Sequence, residues 1–306
     1  MKGDFQRYLR AKETVDDRAF DPRVRRAVRS DLAARSGTVR LLDAGAGTGP
    51  FLRRLLTWDD VPDLTYVAVD ADETSLELGA RLVEERAREL RYSVDTDGST
   101  PENPAFDVLG DTLATLSLRG RNAVDVRFVR ADALDAADAG GWTVVVAQAF
   151  VDLLGPDEVD RLLAGLVSGG RFYFPITFDG GTAFAPGHDA DDAVLAAYHD
   201  TMHAGDRWGS RAGRRLESHL DSRGVDYVAG DSDWHVRPVG GAYPADEAAF
   251  LRTIVDTVGD AVRGHVDEVV RATWLTARRR QLAERTLEYV AKNRDVSGRV
   301  GSTTPR

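Results

Sequence analysis

A strand that ends in a glycine-rich turn constrains the fold of this chain more than any other segment. Residues 39–44 form a mainly apolar segment that runs into a turn with glycine at every second position of 45–49, and a helical segment with apolar residues at 51, 52, 55 and 56 follows. Glycine adopts φ > 0 readily and leaves no Cβ between the backbone and a ligand. A turn of this kind, leading into a helix whose first amide groups are free, predicts a nucleotide-type binding edge of an α/β sheet.

The spacing of the three glycines distinguishes between ligands. It is G-x-G-x-G here, whereas the dinucleotide fingerprint is G-x-G-x-x-G, and Pro50 stands where the last glycine of that fingerprint would be. The carboxylate of Asp43, just before the turn, would repel a diphosphate. It suits a ligand that carries an ammonium and a sulfonium, and S-adenosylmethionine carries both. A nicotinamide-dependent oxidoreductase stays as an alternative that both features oppose.

Residues 43–49, Asp-Ala-Gly-Ala-Gly-Thr-Gly, resemble motif I of the class I S-adenosylmethionine-dependent methyltransferases, and later segments extend the resemblance over residues 39–239. The resemblance implies S-adenosyl-L-methionine as the cofactor. It also implies a Rossmann-like, doubly wound α/β sheet of about seven strands, whose antiparallel last strand we assign to the segment at Trp234. The motif residues implied to contact the cofactor are Asp43, Gly45, Ala46, Gly47 and Gly49.

A second segment of the resemblance is the apolar strand 64–70, which ends in an acid. A carboxylate at the end of the second strand can accept hydrogen bonds from both ribose hydroxyls. The resemblance implies this role for Asp70 and places Ala71 near the adenine. The alternative interpretation is that Asp70 only caps the helix that begins near Glu73.

A third segment, residues 124–134, alternates in hydropathy and ends in Ala-Asp-Ala-Leu. In the family an acid here accepts the exocyclic amine of adenine, and the next backbone amide contacts a ring nitrogen. The resemblance therefore implies these contacts for Asp132 and Ala133. The alternative is that Asp132 is the N-cap of a short helix over residues 134–138.

The fourth segment begins with a continuous apolar run from Trp142, which predicts a fully buried parallel strand. Residues that follow this strand face the transferred methyl group in the family, so Gln148 is a candidate contact of the cofactor or the acceptor, beside Ala149 and Phe150. Asp152 is a candidate catalytic base or acceptor contact, and helix capping near Pro156 is the alternative. The Pro-Pro-Tyr motif of amino-methyltransferases is missing at this place. Its absence favours a small-molecule acceptor over DNA adenine or glutamine.

Helices are predicted on both sides of the 37–240 methyltransferase domain. Residues 1–36 form a helical arm that could fold over the cofactor. Residues 241–295 are predicted to be helical and either cap the acceptor side or provide a homodimer face. The tail 296–306 is predicted to be disordered.

Two insertions interrupt the domain. Residues 91–121 are polar and rich in turn formers, which predicts a loop, and residues 179–210 occupy the place of an acceptor lid. His199 and His203 stand four apart in the second insertion, but a motif such as H-E-x-x-H is missing, so no metal is expected. His199 is instead a candidate general base.

Composition limits the remaining functions. The net charge is −10 and the chain has no cysteine, so we expect neither general nucleic-acid binding nor thiol or Cys-zinc chemistry. No apolar run reaches about 18 residues and no apolar leader is present, so we expect no membrane span and a cytoplasmic location. The sequence thus predicts a methyltransferase acting on a small molecule, with a noncatalytic S-adenosylmethionine-binding module as the alternative.

Overall fold

The computed structural model describes residues 2–96, 109–203 and 205–301. Within these ranges the strands are β1 (Val39–Ala44), β2 (Leu64–Asp70), β3 (Ser93–Asp95), β4 (Asp111–Arg119), β5 (Ala123–Arg130), β6 (Trp142–Val146), β7 (Leu166–Ala185), β8 (Tyr227–Asp231), β9 (Trp234–Val236) and β10 (Glu288–Arg299). The α-helices are α1 (Lys2–Ala19), α2 (Pro22–Ala33), α3 (Pro50–Leu55), α4 (Glu73–Glu89), α5 (Ala133–Asp138), α6 (Pro156–Ala164), α7 (Asp191–Thr201), α8 (Ala212–Ser222), α9 (Glu247–Ala261) and α10 (Glu268–Ala283).

The strands form one mixed sheet in the order β3-β4-β5-β2-β1-β6-β7-β10-β8, with β9 also paired to β10. Its parallel centre, β5-β2-β1-β6-β7, follows the third-second-first-fourth-fifth order of the doubly wound fold. The predicted fold class is therefore confirmed. Strand order reverses between β1 and β6, so the carboxyl ends of these two strands flank the topological switch point, where such sheets bind ligands.

Each face of the sheet has its own core. One face packs against α2, α3 and α4 through side chains such as Val28, Leu52 and Val83. The other packs against α5, α6 and α8 through side chains such as Leu162 and Leu216. Helices on both faces are what the alternation of strands and helices predicts.

A third cluster joins the two ends of the chain above the sheet. Side chains of α1, α7, α9 and α10 pack together there, among them Val15, Val194, Phe250 and Trp274. The predicted arm and the predicted C-terminal helices thus form one cap. No helix in the described ranges has the length and hydropathy to cross a membrane.

The end of the chain corrects the sequence analysis. Residues 288–299 form β10, not the end of a helix or the start of a disordered tail, and Val296 is fully buried opposite Phe174. Residues 302–306 of the predicted tail lie outside the described residues. The error arose because β10 pairs with strands far away along the chain, and local periodicity carries no signal of such pairing.

The closing strands are also arranged differently from the prediction. The antiparallel strand inserted into the sheet is β10, whereas the assignment was to the segment at Trp234. Strands β8 and β9 do not form the expected hairpin, because both pair antiparallel with successive parts of β10.

Both insertions contain more regular structure than expected. In the first, residues 111–119 form β4, an antiparallel neighbour of β5, with Leu116 and Leu118 buried. Residues 97–108 of the predicted loop lie outside the described residues. In the second, β7 continues to Ala185 and α7 follows at Asp191, so much of the predicted lid is strand and helix.

Candidate active site

A cavity of about 650 Å³ opens at the carboxyl ends of the central strands. Its volume lies in the range of about 300–1,000 Å³ that is usual for small-ligand sites. Helices α1, α7 and α9 and strands β7, β9 and β10 contribute the rest of its wall. The predicted site residues that line it are Asp43, Gly45, Ala46, Gly47, Asp70, Ala71, Asp132, Ala133, Gln148 and Asp152.

The glycine turn has the conformation that the sequence predicts. Gly45, Gly47 and Gly49 have φ of 72°, 53° and 67°. A Cβ on Gly45 would lie 2.6 Å from the ring of Phe150, so only glycine fits there. A Cβ on Gly47 would meet only Leu9, at 3.5 Å. Gly49 differs from its two partners, because it is the N-cap of α3 and faces Val83 in α4 and not the cavity.

Asp70 ties the end of β2 to the glycine turn. Its Oδ2 accepts the amide of Gly47 at 2.8 Å, and its Oδ1 accepts the amide of Asp72 at 2.9 Å. The N-cap of α4 is Asp72, so the alternative interpretation of Asp70 as the cap is wrong. Burial raises the pKa of Asp70, and the backbone amides oppose that rise. Each carboxylate oxygen has a further lone pair for a ligand hydroxyl.

Asp132 does cap a helix, as the alternative interpretation predicted. Its Oδ1 accepts the amides of Leu134 at 2.7 Å and Asp135 at 3.3 Å at the start of α5. The side chain is exposed and also lines the cavity. Because the cap uses a single oxygen, the second carboxylate oxygen can still accept a hydrogen bond from a ligand.

Asp43 is a buried acid at the end of β1. Tyr66 donates its hydroxyl to Oδ2 of Asp43 at 2.5 Å. Burial raises the pKa of Asp43 to about 7, opposed by the Tyr66 hydrogen bond, and the charge of Asp70 raises it further whereas Arg54 lowers it. Burial penalises the charged form of a carboxyl group unless a cation compensates it. The site would therefore favour a cationic ligand beside Asp43.

Both the oxygen and the nitrogen of the Gln148 side-chain amide form hydrogen bonds within the protein. Arg54 donates to its Oε1 at 3.2 Å, and its Nε2 donates to Oδ2 of Asp16 at 2.8 Å. Gln148 thus anchors α1 to the end of β6. The sequence analysis missed Asp16, although Tyr8, Lys12 and Asp16 stand four apart on one helix face and could have indicated it.

Helix α1 covers the cavity through contacts along its length. Gln6 donates to Asp72 at 3.0 Å, next to the turn after β2. Further along the helix, Glu13 and Asp17 form ion pairs with Arg53 and Arg54 of α3. These contacts hold the arm across the mouth of the glycine turn.

The far end of the cavity combines one acid with several phenols. Asp152 lies in a single 3₁₀ turn, and α6 is capped instead by Gly155 and Glu158, so the capping alternative for Asp152 is wrong. Burial raises the pKa of Asp152, and the nearby charge of Lys12 opposes that rise. Tyr8, Tyr198 and Tyr289 also line the cavity.

His199 does not belong to the described residues that line the cavity. Its Nε2 lies 2.9 Å from the hydroxyl of Thr182, which does line it, and its ring packs against Phe178. His203 contacts Ser210 instead, so the two histidines face different partners. The interpretation of His199 as a general base has no direct geometric support, whereas Asp152 faces the cavity.

No family model and no curated protein match this chain. Solved structures do. A SAM-dependent methyltransferase from Thiobacillus denitrificans, in complex with S-adenosyl-L-homocysteine, is 18% identical, with a TM-score of 0.45 over 92% of this chain and 93% of that chain. Phosphoethanolamine N-methyltransferase 2 from Haemonchus contortus is 12% identical, with a TM-score of 0.41 over 94% of this chain and 56% of that chain. Precorrin-6y C5,15-methyltransferase from Geobacter metallireducens is 12% identical, with a TM-score of 0.36 over 69% of this chain and 77% of that chain. These solved structures, to which the chain is similar, are all named as methyltransferases.

Proposed function

We propose that this chain is an S-adenosylmethionine-dependent methyltransferase that acts on a small-molecule acceptor. One observation carries the proposal: a single cavity joins the glycine turn, the acids at the ends of three central strands and a mainly apolar chamber beyond β6, which Asp152, Phe178 and Tyr198 help to line. A cofactor site alone would need only the first two parts. The additional chamber favours an enzyme over a noncatalytic binding module.

The residues fit the chemistry of the cofactor. The carboxylate of Asp70 is suited to the ribose hydroxyls, and the free oxygen of Asp132 with the amide of Ala133 to the edge of adenine. The buried carboxyl of Asp43 is suited to a cationic group. Gly47 lines the cavity without a Cβ, which allows a ligand to approach its backbone closely.

The chemistry places modest demands on the protein. When bound, S-adenosylmethionine supplies a methyl group that a sulfonium already activates. The chain's own residues hold the two reactants together and exclude water, which is the role we assign to α1 and its anchor at Gln148. If the acceptor must lose a proton, a carboxylate oxygen of Asp152 receives it, because its raised pKa makes it a better base near neutral pH.

Calorimetry with S-adenosylhomocysteine and with NADH tests the cofactor assignment directly. We expect saturable binding of the first and none of the second. Asp70→Asn should weaken S-adenosylhomocysteine binding by about tenfold, equivalent to about 1.4 kcal/mol. Asp189→Asn is the matched control, because Asp189 is exposed and lies outside the cavity wall. Binding of NADH in preference to S-adenosylhomocysteine would refute the proposal.

Activity needs a separate experiment. S-adenosylmethionine with a labelled methyl group is incubated with the protein and a metabolite extract of the source organism, and the labelled product is identified. Transfer that depends on the protein and is weakened by Asp70→Asn supports an enzyme. Cofactor binding without transfer to any fraction would support the noncatalytic alternative.

A further inference from the structure

Lys12 places a buried cation in the wall of the cavity. Its side chain is 9% exposed, and its Nζ donates to Oδ2 of Asp16 at 2.8 Å. The same nitrogen lies 5.2 Å from the ring centroid of Trp234. Within the described residues no other oxygen accepts from this ammonium, which has three donors. Lys12 therefore lines the cavity with hydrogen-bonding capacity that the protein does not use.

The carboxylate of Asp16 already accepts hydrogen bonds from other side chains, so it has little capacity to accept a second one from Lys12. Its Oδ2 also accepts from Gln148 at 2.8 Å, and its Oδ1 accepts from the indole of Trp234 at 2.9 Å. The carboxylate is thus fixed by three donors from three separate elements. Since a buried donor without an acceptor is unfavourable, the free donors of Lys12 call for an acceptor atom from a ligand.

The charged neighbours of Lys12 indicate which end of the cavity its ammonium group faces. Lys12 is the cation that acts on Asp152, in the chamber beyond β6. The cation that acts on Asp43, beside the glycine turn, is Arg54. The geometry agrees, because the partner of Lys12, Asp16, is bonded to Gln148 after β6 and to Trp234 of β9. Lys12 therefore lies on the β6 and β9 side of the cavity, where the acceptor chamber begins.

We infer that the ammonium of Lys12 binds an anionic oxygen group, such as a carboxylate, of the methyl acceptor. The inference rests on the proposed function and defines the acceptor class as a small organic acid. Lysine suits this position because its compact charge can donate to Asp16 and to a ligand in different directions. The amino-acid tail of the cofactor carries the same chemistry and is the competing source of a carboxylate.

Two ligand pairs separate these sources. S-adenosylhomocysteine and 5′-methylthioadenosine differ in the amino-acid tail, and acetate and acetamide differ in charge but hardly in shape. Each ligand is titrated into the wild type, Lys12→Met and Lys12→Arg, with acetate and acetamide added to the S-adenosylhomocysteine complex. Lys292→Met is the control, since Lys292 is an exposed lysine paired with Asp233 outside the cavity wall.

The expected result is that acetate binds the wild-type complex and acetamide does not. Lys12→Met should weaken acetate binding by about 10- to 100-fold, the usual range for a charge-assisted hydrogen bond. Lys12→Arg should restore part of it, and Lys292→Met should change nothing. When a metabolite extract is separated by anion exchange and each fraction is tested for labelled-methyl transfer, the labelled product should appear in the anionic fraction.

Two results would overturn the inference. One is a loss of S-adenosylhomocysteine affinity in Lys12→Met with no loss for 5′-methylthioadenosine, because Lys12 would then bind the cofactor tail. The other is acetate affinity that equals acetamide affinity, or that persists in Lys12→Met. Failure of the wild type to bind S-adenosylhomocysteine at all would instead refute the proposed function, so the two failures are distinguishable. Thermal unfolding of each variant verifies that it is folded.

Discussion

Oδ2 of Asp16 accepts the side-chain amide of Gln148 at 2.8 Å, which joins the N-terminal helix to the end of β6 across 132 positions of sequence. The bond lies in the wall of the cavity and both residues are buried. It couples the cover of the cavity to the strand end where the methyl group would be transferred. One carboxylate, that of Asp16, thus joins Lys12 of the cover to the end of β6 and to Trp234.

Removal of that carboxylate should destabilise the fold. Asp16→Ala leaves the buried ammonium of Lys12 without its counter-ion, and breaking a buried pair in this way costs about 3–5 kcal/mol. Asp17→Ala, one position along, removes a half-exposed partner of Arg54 and should cost less than about 1 kcal/mol. Urea unfolding measures both. Equal losses in the two variants would contradict the role assigned to Asp16.

Asp43 should make stability depend on pH. Its folded pKa of about 7 lies above the ordinary value of 3.8, so its contribution to stability is fully present below about pH 4 and is lost as pH rises through about 7. Asp43→Asn should remove this part of the slope. Urea midpoints measured from pH 4 to pH 8 check the direction. A slope that is unchanged in the variant would assign the effect to other groups.

Cofactor affinity should follow pH in the opposite sense. A cation beside Asp43 favours its charged form, so binding below about pH 7 must release a proton. The affinity for S-adenosylmethionine should increase from pH 5.5 to about 7 and then level off, and calorimetry in two buffers of different ionisation enthalpy should detect the proton. Binding by Asp43→Asn should be weaker and should lack this dependence.

Gly47→Ala should separate backbone strain from ligand contact. At a φ of 53° alanine costs about 1–2 kcal/mol, and its methyl group would also occupy the approach to the backbone. Gly37→Ala is the matched control, with a φ of 78° in open space away from the cavity. Both variants should lose similar stability. Loss of S-adenosylhomocysteine affinity in Gly47→Ala alone is the expected result, and equal affinities would contradict the placement of the cofactor.

Substitutions of Asp152 and His199 should affect kcat differently. Asp152→Asn removes a proton acceptor that faces the cavity and should lower kcat by about 100-fold if the acceptor must be deprotonated. His199→Gln removes a ring that reaches the cavity only through Thr182 and should leave kcat unchanged. Rates of labelled-methyl transfer at saturating acceptor test both variants. The reverse pattern would restore His199 as the base.

Local sequence was sufficient for the central sheet. The glycine turn and the acids at the ends of β2 and β5 indicated the binding edge before any contact was known, because the chain itself places each residue at the end of its strand, and the resemblance that they carry implied the doubly wound sheet. The same logic identified Asp43 and Asp70, whose positions in the cavity wall agree with the expectation. Their assigned contacts with a cofactor stay predictions.

Tertiary structure decided the cover of the site and the end of the sheet. Strand β10 exists because residues 288–299 find a partner in β7 more than a hundred positions earlier, and the network of Lys12, Asp16, Gln148 and Trp234 unites three distant segments. Periodicity reports how a segment faces its surroundings, but it does not report which segment those surroundings come from. The sequence alone therefore determined the glycine turn and the acids of the proposed binding edge, and only the folded chain determined which side chains enclose the cavity beside it.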